Sequence, residues 1–204
     1  MAVVQIVFYS MYGHVHQLAR AVAEGAREVE GAEVRLGRVP ELMDEETLKR
    51  VGAWDAQQAF ADIPEIEPDA LVEADAILVG TPTRFGNMSA QMRNFWDRTG
   101  KLWQEGKLIG KLAGAFVGIG TQHGGHETTI ASIWFTYAHH GMVIVPLGYP
   151  DPAITRMDEI TGGGPYGATT MSDKDGSRTP SDNELYIARL QGRRMAELAL
   201  KMAG

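Results

Sequence analysis

Val3-Val4-Gln5-Ile6-Val7-Phe8-Tyr9, running straight into Ser10-Met11-Tyr12-Gly13-His14-Val15, is where the fold can be read. The first seven residues are rich in β-branched side chains and almost continuously apolar, the pattern of a strand covered on both faces. After the turn, Val15, Leu18, Ala19, Val22, Ala26 and Val29 fall on one helical stripe, and Gly31 supplies the stop. A second short strand reads at 32–36. Ala76-Ile77-Leu78-Val79-Gly80 and the small-residue run at 112–119 read as further central strands. Helical patterns follow them at 88–96 and 130–139, and 142–145 reads as a last strand. Strand and helix in alternation build βαβ units, hence a mostly parallel sheet with helices on both faces. Such sheets bind ligands at the carboxyl ends of their strands, where the strand order reverses. The loops that follow the strands are therefore the place to look for chemistry.

Two stretches interrupt this rhythm. Residues near 40–68 hold Pro40, Pro64 and Pro68 among many acids and read as an irregular insertion with about one turn of helix. The segment near 148–180 is turn-rich, with five glycines between Gly162 and Gly176, and reads as a long loop with no core of its own. Loops of that length are usually functional. Pro180-Ser181-Asp182-Asn183-Glu184 then offers a capping box, with Ser181 as N-cap and Glu184 three residues on. Leu185, Ala188, Gly192, Met195, Ala199 and Met202 mark one packed face of the helix it opens. Residues 1–204 are expected to form a single domain.

Composition narrows the function. Hydrophobic residues make up 44% and charged residues 22% of the 204, which excludes disorder and coiled coil. Nineteen basic against 26 acidic residues leave a net charge of −7, so a phosphate backbone is repelled and no nucleic-acid partner is expected. The absence of cysteine removes disulfides, thiolate nucleophiles and Cys-ligated zinc, and suits a cytoplasmic protein. No apolar run approaches the roughly 20 residues of a membrane helix, and the apolar N-terminus lacks a basic leader. A soluble, cytoplasmic chain without membrane insertion is expected.

Three loops carry candidate chemistry. Ser10 to Val15 is a hydroxyl-and-glycine turn entering a helix N-terminus, where backbone N–H groups and the helix dipole can hold a phosphate without a basic side chain. The same hexapeptide also reads as an ordinary helix-start turn. Thr81-Pro82-Thr83-Arg84-Phe85-Gly86-Asn87 could edge a planar heterocycle, or simply connect two elements around a core Phe85. Gly118-Ile119-Gly120-Thr121-Gln122-His123-Gly124 lets backbone approach a ligand ring closely. It is not a dinucleotide fingerprint, because it follows the third core strand rather than the first. His123, His126, Glu127, His139 and His140 match no zincin spacing, and no metal is expected. No G-x-S-x-G elbow is present. Trp103 reads equally as core or as a residue overhanging a site. A phosphate cradle beside aromatic and glycine-rich loops suits a mononucleotide, with FMN the natural candidate.

At four places, in order, the chain resembles the WrbA family of flavodoxin-like NAD(P)H:quinone oxidoreductases, once named tryptophan-repressor-binding proteins. These are Ser10-Met11-Tyr12-Gly13-His14, Gly80-Thr81-Pro82-Thr83-Arg84-Phe85-Gly86-Asn87-Met88, Ala138-His139-His140-Gly141-Met142 and Gly164-Pro165-Tyr166-Gly167-Ala168-Thr169-Thr170. The resemblance spans nearly the whole chain. It implies a doubly wound, five-stranded parallel sheet of order 2-1-3-4-5 and non-covalent FMN. By this resemblance Ser10, Met11, Tyr12, Gly13, His14 and Val15 hold the FMN phosphate. Thr81, Pro82, Thr83, Arg84, Phe85 and Gly86 flank the isoalloxazine ring, as do Ile119, Gly120, Thr121, Gln122, His123 and Gly124. His140 approaches the flavin as the catalytic residue, Trp103 walls the substrate pocket, and Tyr12 contacts the nicotinamide nucleotide. The third loop departs from the Thr-Gly-Thr-Gly-Gly-Gly type that accompanies these motifs, with fewer hydroxyls and an added His123.

The resemblance further implies a homotetramer with sites completed across subunits. NADH or NADPH and a quinone would take turns at one face, a two-electron ping-pong reduction giving hydroquinone. Two other classes fit the same fold, a flavodoxin-type electron carrier and a non-enzymatic interaction protein. The first calls for a strongly acidic docking surface, and a net charge of −7 is mild for that role.

Overall fold

The computed structural model describes residues 1–203. The elements run β1 (Ala2–Phe8), α1 (His14–Arg27), β2 (Ala32–Arg38), α2 (Glu45–Arg50), α3 (Trp54–Gln58), β3 (Ala76–Arg84), β4 (Asn87–Met88), α4 (Ala90–Asp97) and α5 (Gly100–Gln104). They continue as β5 (Leu112–Ile119), α6 (His126–His139), β6 (Val143–Ile144), β7 (Thr169–Met171) and α7 (Asp182–Ala203). The main sheet is parallel in the order β2-β1-β3-β5-β6. Alternation along β1 explains how it buries both faces. Val4, Ile6 and Phe8 join the core under α1 and α7, while Val7 and Tyr9 join the core under α4 and α6.

The five expected positions are present, but seven strands fill the sheet. The fifth position is split. β6 pairs with the start of β5 at Leu112 and Ala113, and β7 pairs with its end from Val117 to Ile119. The chain leaves after β6, wanders through the glycine-rich segment and returns, so the long loop closes with a strand of its own. The extra strand β4 is a short antiparallel return onto the end of β3.

Two details fix the helices that carry the sheet's loops. α1 and α7 approach so closely that a Cβ on Gly25 would lie 1.9 Å from the Arg189 carbonyl oxygen, and one on Gly192 would lie 1.9 Å from that of Val22. Gly192 therefore sits on the packed face because nothing larger fits. At the start of α7, the Ser181 Oγ accepts from the Glu184 N–H at 3.2 Å, and the Glu184 carboxylate accepts from the Ser181 N–H at 2.8 Å. That is the reciprocal capping box.

The 40–68 excursion is more ordered than its composition implies, with α2 and α3 in place of a single turn. Its far end is stitched to β2, since the Arg38 N–H donates to the Pro64 carbonyl and the Ile66 N–H to that of Arg38, both at 2.9 Å. Among the described residues, no helix is long and apolar enough to cross a membrane.

Candidate functional site

The first loop is built as an anion cradle. Ser10 is buried, and its hydroxyl oxygen accepts from the Gly13 N–H at 3.1 Å. Gly13, the residue before α1, has φ 89°, a conformation that costs a side chain dearly and glycine little. A Cβ there would meet nothing within 4 Å, so the space ahead of the helix is open. No side chain caps α1 and its first turn holds no acid, which leaves its leading N–H groups and positive dipole end free for an anion. His14 flanks this opening, with its Nε2 3.1 Å from the Gly176 carbonyl oxygen. Burial holds His14 below the ordinary histidine value, so at neutral pH the ring is uncharged and donates from Nε2–H.

In front of this helix end lies a cavity of about 640 Å³, at the carboxyl ends of β1, β3 and β5. That volume falls in the range of small-molecule and cofactor sites. Ser10, Met11, Tyr12, His14 and Val15 line it from the first loop, Pro82, Thr83 and Arg84 from the second, and Ile119 and Gly120 from the third. Arg84 links the first two loops, donating to the Thr83 carbonyl at 2.9 Å and to Met11 Sδ at 3.2 Å. Two walls are made of residues that no motif singles out. Val51, Gly52 and Ala56 come from the α2–α3 excursion, and Ser172 to Gly176, including Lys174, come from the segment after β7. The Asp173-Lys174-Asp175-Gly176 turn was the only local signal for the second of these, and nothing local marked the first.

Other expected residues lie apart from the cavity. Thr81 is fully buried and accepts from the Ser89 N–H at 3.1 Å, holding the second loop from behind. Phe85 is wholly exposed at φ 52°, next to Gly86 at φ 77°. A non-glycine aromatic in the left-handed region, pointing at solvent, is strained without any apolar return inside one chain. The turn Thr121 to Gly124 is closed by the Gly124 N–H donating to the Thr121 carbonyl at 3.1 Å. Gln122 and His123 face a second cavity of about 640 Å³ on the far side of the third loop. Trp103 is 58% exposed on α5.

His140, at the end of α6, is buried against the Trp96 ring, with centroids 5.5 Å apart. The Thr99 hydroxyl donates to the Trp96 carbonyl at 2.6 Å, so at 2.9 Å it accepts from His140 Nε2–H. These bonds assign the tautomer and leave Nδ1 as a buried lone pair without a partner among the described residues. Burial, together with neighbouring His139, holds the ring below the ordinary histidine value and therefore neutral.

The long loop is organised by one buried carboxylate. Glu184 accepts from the Gly162 N–H and the Thr170 hydroxyl, each at 2.8 Å, and pairs with Arg178 at 2.9 Å. Arg178 in turn donates to the carbonyls of Met171 at 2.6 Å and Ile160 at 2.9 Å. The wall from Ser172 to Gly176 hangs between β7 and this ion pair.

An uncapped helix end and a cavity of nucleotide size at the switch point of a parallel sheet, lined by the loops after β1, β3 and β5, fit flavin mononucleotide. They define a flavin-binding protein of flavodoxin-like fold. The chain belongs to the NADPH-dependent FMN reductase family, whose family model matches residues 11–150. A Trichlorobacter lovleyi protein named NAD(P)H dehydrogenase (quinone) is 56% identical over 202 residues, 99% of each chain. One of the same name from Aromatoleum aromaticum is 58% identical over 196 residues, 96% of this chain and 95% of that one. Among solved structures, the flavodoxin, WrbA-like protein from Agrobacterium tumefaciens superposes with a TM-score of 0.66 at 28% identity, covering 98% of this chain and 99% of its own.

Proposed function

We propose that this chain is an FMN-dependent NAD(P)H:quinone oxidoreductase that takes two electrons from NADH or NADPH and passes them to a quinone, giving hydroquinone. The observation that carries the reading is the open N-terminus of α1 facing a cofactor-sized cavity. The relatives named NAD(P)H dehydrogenase (quinone) support the choice of substrates. When bound, FMN supplies the two-electron chemistry, and the protein supplies position and electrostatics.

The leading N–H groups of α1 and the Ser10–Gly13 turn hold the phosphate, with His14 Nε2–H beside them. Pro82 to Arg84 and Ile119 to Gly120 hold the ring, and Arg84 places a positive charge at the cavity mouth. Tyr12 contacts the nicotinamide nucleotide. The substrate face is completed in a homotetramer, where Phe85, Trp103 and His140 of one subunit serve a shared pocket. Exposed Phe85 and Trp103 favour this arrangement, because each leaves a large apolar surface uncovered in one chain. With Nε2–H committed to Thr99 and Nδ1 a buried acceptor, neutral His140 has no proton to give a quinone oxygen, so its part in turnover is to shape the substrate face rather than to donate a proton. The protein works in the cytoplasm.

Steady-state oxidation of NAD(P)H with benzoquinone tests the reading. Parallel double-reciprocal lines, without any partner reductase, are the expected result. Turnover only when a reductase is added would identify an electron carrier instead.

A further inference from the structure

Glu41 has no place in the site as described, yet its carboxylate gathers five donors. Oε1 accepts from the Leu42 N–H at 2.8 Å, the Met43 N–H at 3.0 Å and Gln91 Nε2 at 2.6 Å. Oε2 accepts from the Tyr9 hydroxyl at 2.5 Å and Gln57 Nε2 at 2.7 Å. We infer that Glu41 is a positioning residue for the flavin cavity, the strut that holds the α2–α3 excursion in place as a cavity wall.

The side-chain donors come from three different parts of the chain around the cavity. Tyr9 directly precedes Ser10 of the phosphate cradle. Gln57 directly follows Ala56, which lines the cavity. Gln91 lies in the first turn of α4, behind the loop that supplies Pro82 to Arg84. One carboxylate thus spans the first loop, the excursion and the second loop.

The excursion is anchored to the core beyond its helices, by Phe60 packed on Phe8 and His16, but the two helices that form the cavity wall bury little themselves. α2 buries Leu48 alone, and α3 buries none of its residues. Short helices with so little buried surface open at low free energy unless polar contacts pin them. On the cavity side a second tie exists, the Tyr12 hydroxyl donating to the Val51 carbonyl at 3.2 Å, but it is exposed. A carboxylate suits the task because it only accepts, and bonds to an ionised acceptor are roughly twice as strong as neutral ones. Burial alone would raise the Glu41 carboxyl, but the bonds from Tyr9, Gln57, Gln91 and Met43 outweigh it and hold the group below the usual carboxylate range. The strut is therefore charged throughout the neutral range.

This inference rests on the flavin reading, and the experiment separates the two. FMN dissociation constants are measured by flavin fluorescence quenching for wild type, Glu41→Gln, Tyr9→Phe and Glu65→Gln. Hydrogen exchange is followed in the same apoproteins. Glu41→Gln is expected to weaken FMN at least tenfold and to speed exchange across 45–58, with β1, β3 and β5 amides unchanged. Tyr9→Phe, which removes one donor of the five, moves both readouts the same way by less. Glu65→Gln, at the far end of the excursion where Glu65 pairs with Arg38 at 2.8 Å, leaves FMN binding unchanged. A Glu41→Gln protein that melts lower but binds FMN within twofold of wild type would show a merely structural role and overturn the inference, as would unchanged exchange over 45–58. A wild type that binds no FMN overturns the flavin reading and the inference with it.

Discussion

Replacing Arg178 by methionine keeps the aliphatic reach and removes the guanidinium. Glu184, with no accessible side-chain surface, then loses its cation, and the carbonyls of Met171 and Ile160 lose their donor. Stripping one partner from a fully buried pair costs about 3–5 kcal/mol, whereas an exposed pair is worth about 0–1 kcal/mol. The Arg178 side chain is 23% accessible, which places this pair between the two, at about 2–3 kcal/mol. For a chain of this length that is a fall in melting temperature of about 4–12 °C. The wall from Ser172 to Gly176 loosens as well, because the guanidinium's bond to the Met171 carbonyl at its near end is lost and only the backbone bond from the Arg178 N–H to the Ser172 carbonyl, at 3.1 Å, remains, so FMN binding weakens together with stability. Urea unfolding of the apoprotein reads the first effect and flavin titration the second. Adding Glu184→Gln to Arg178→Met removes the stranded charge, so the double variant is expected to be less destabilised than the sum of the two singles. An Arg178→Met protein that melts within 2 °C of wild type, or strictly additive effects, would refute the role given to this ion pair.

Other outcomes follow from the same geometry. Gly192→Val forces α1 and α7 apart at the Val22 carbonyl and is expected to cost about 3 kcal/mol or more, read as a lower urea midpoint. His14, His16, His126 and His140 all lie below the ordinary histidine value, each chiefly through burial. The unfolded chain therefore binds more protons near pH 6, and these groups' contribution is present above about pH 6.5 and lost as the pH falls. Apoprotein urea midpoints at pH 8 and pH 5.5 check the sign. Gly13→Ala meets no steric contact but must hold φ 89°, so a loss of about 1–2 kcal/mol is expected from backbone strain, with weaker FMN phosphate binding in titration. His140→Ala is expected to lower quinone turnover; unchanged turnover would remove His140 from the catalytic account.

β1 and β5 are legible because a run buried on both faces needs continuous small or β-branched apolar residues, and the capping box at Ser181 and Glu184 is a local hydrogen-bond signature. β7 was hidden because Thr169 and Thr170 read as part of a glycine-rich loop. They become strand only when β5 and Glu184 supply partners from elsewhere in the chain. The cavity walls at Val51, Gly52 and Ala56 were equally silent, since their position depends on Glu41 bonds reaching as far as Tyr9 and Gln91. Conversely, Phe85 and His140 were singled out by motif and Trp103 by the family resemblance, but one chain does not bring them to the cavity that the first loop opens.

The most direct test of the account is an anaerobic absorption series on the purified protein, loaded with FMN and freed of excess. Retained flavin bands that bleach with NADH or NADPH and return on adding benzoquinone are the predicted result, both half-reactions in one cuvette. Flavin that stays oxidised with both nucleotides, or a protein that retains none even when titrated at high FMN concentration, would contradict it.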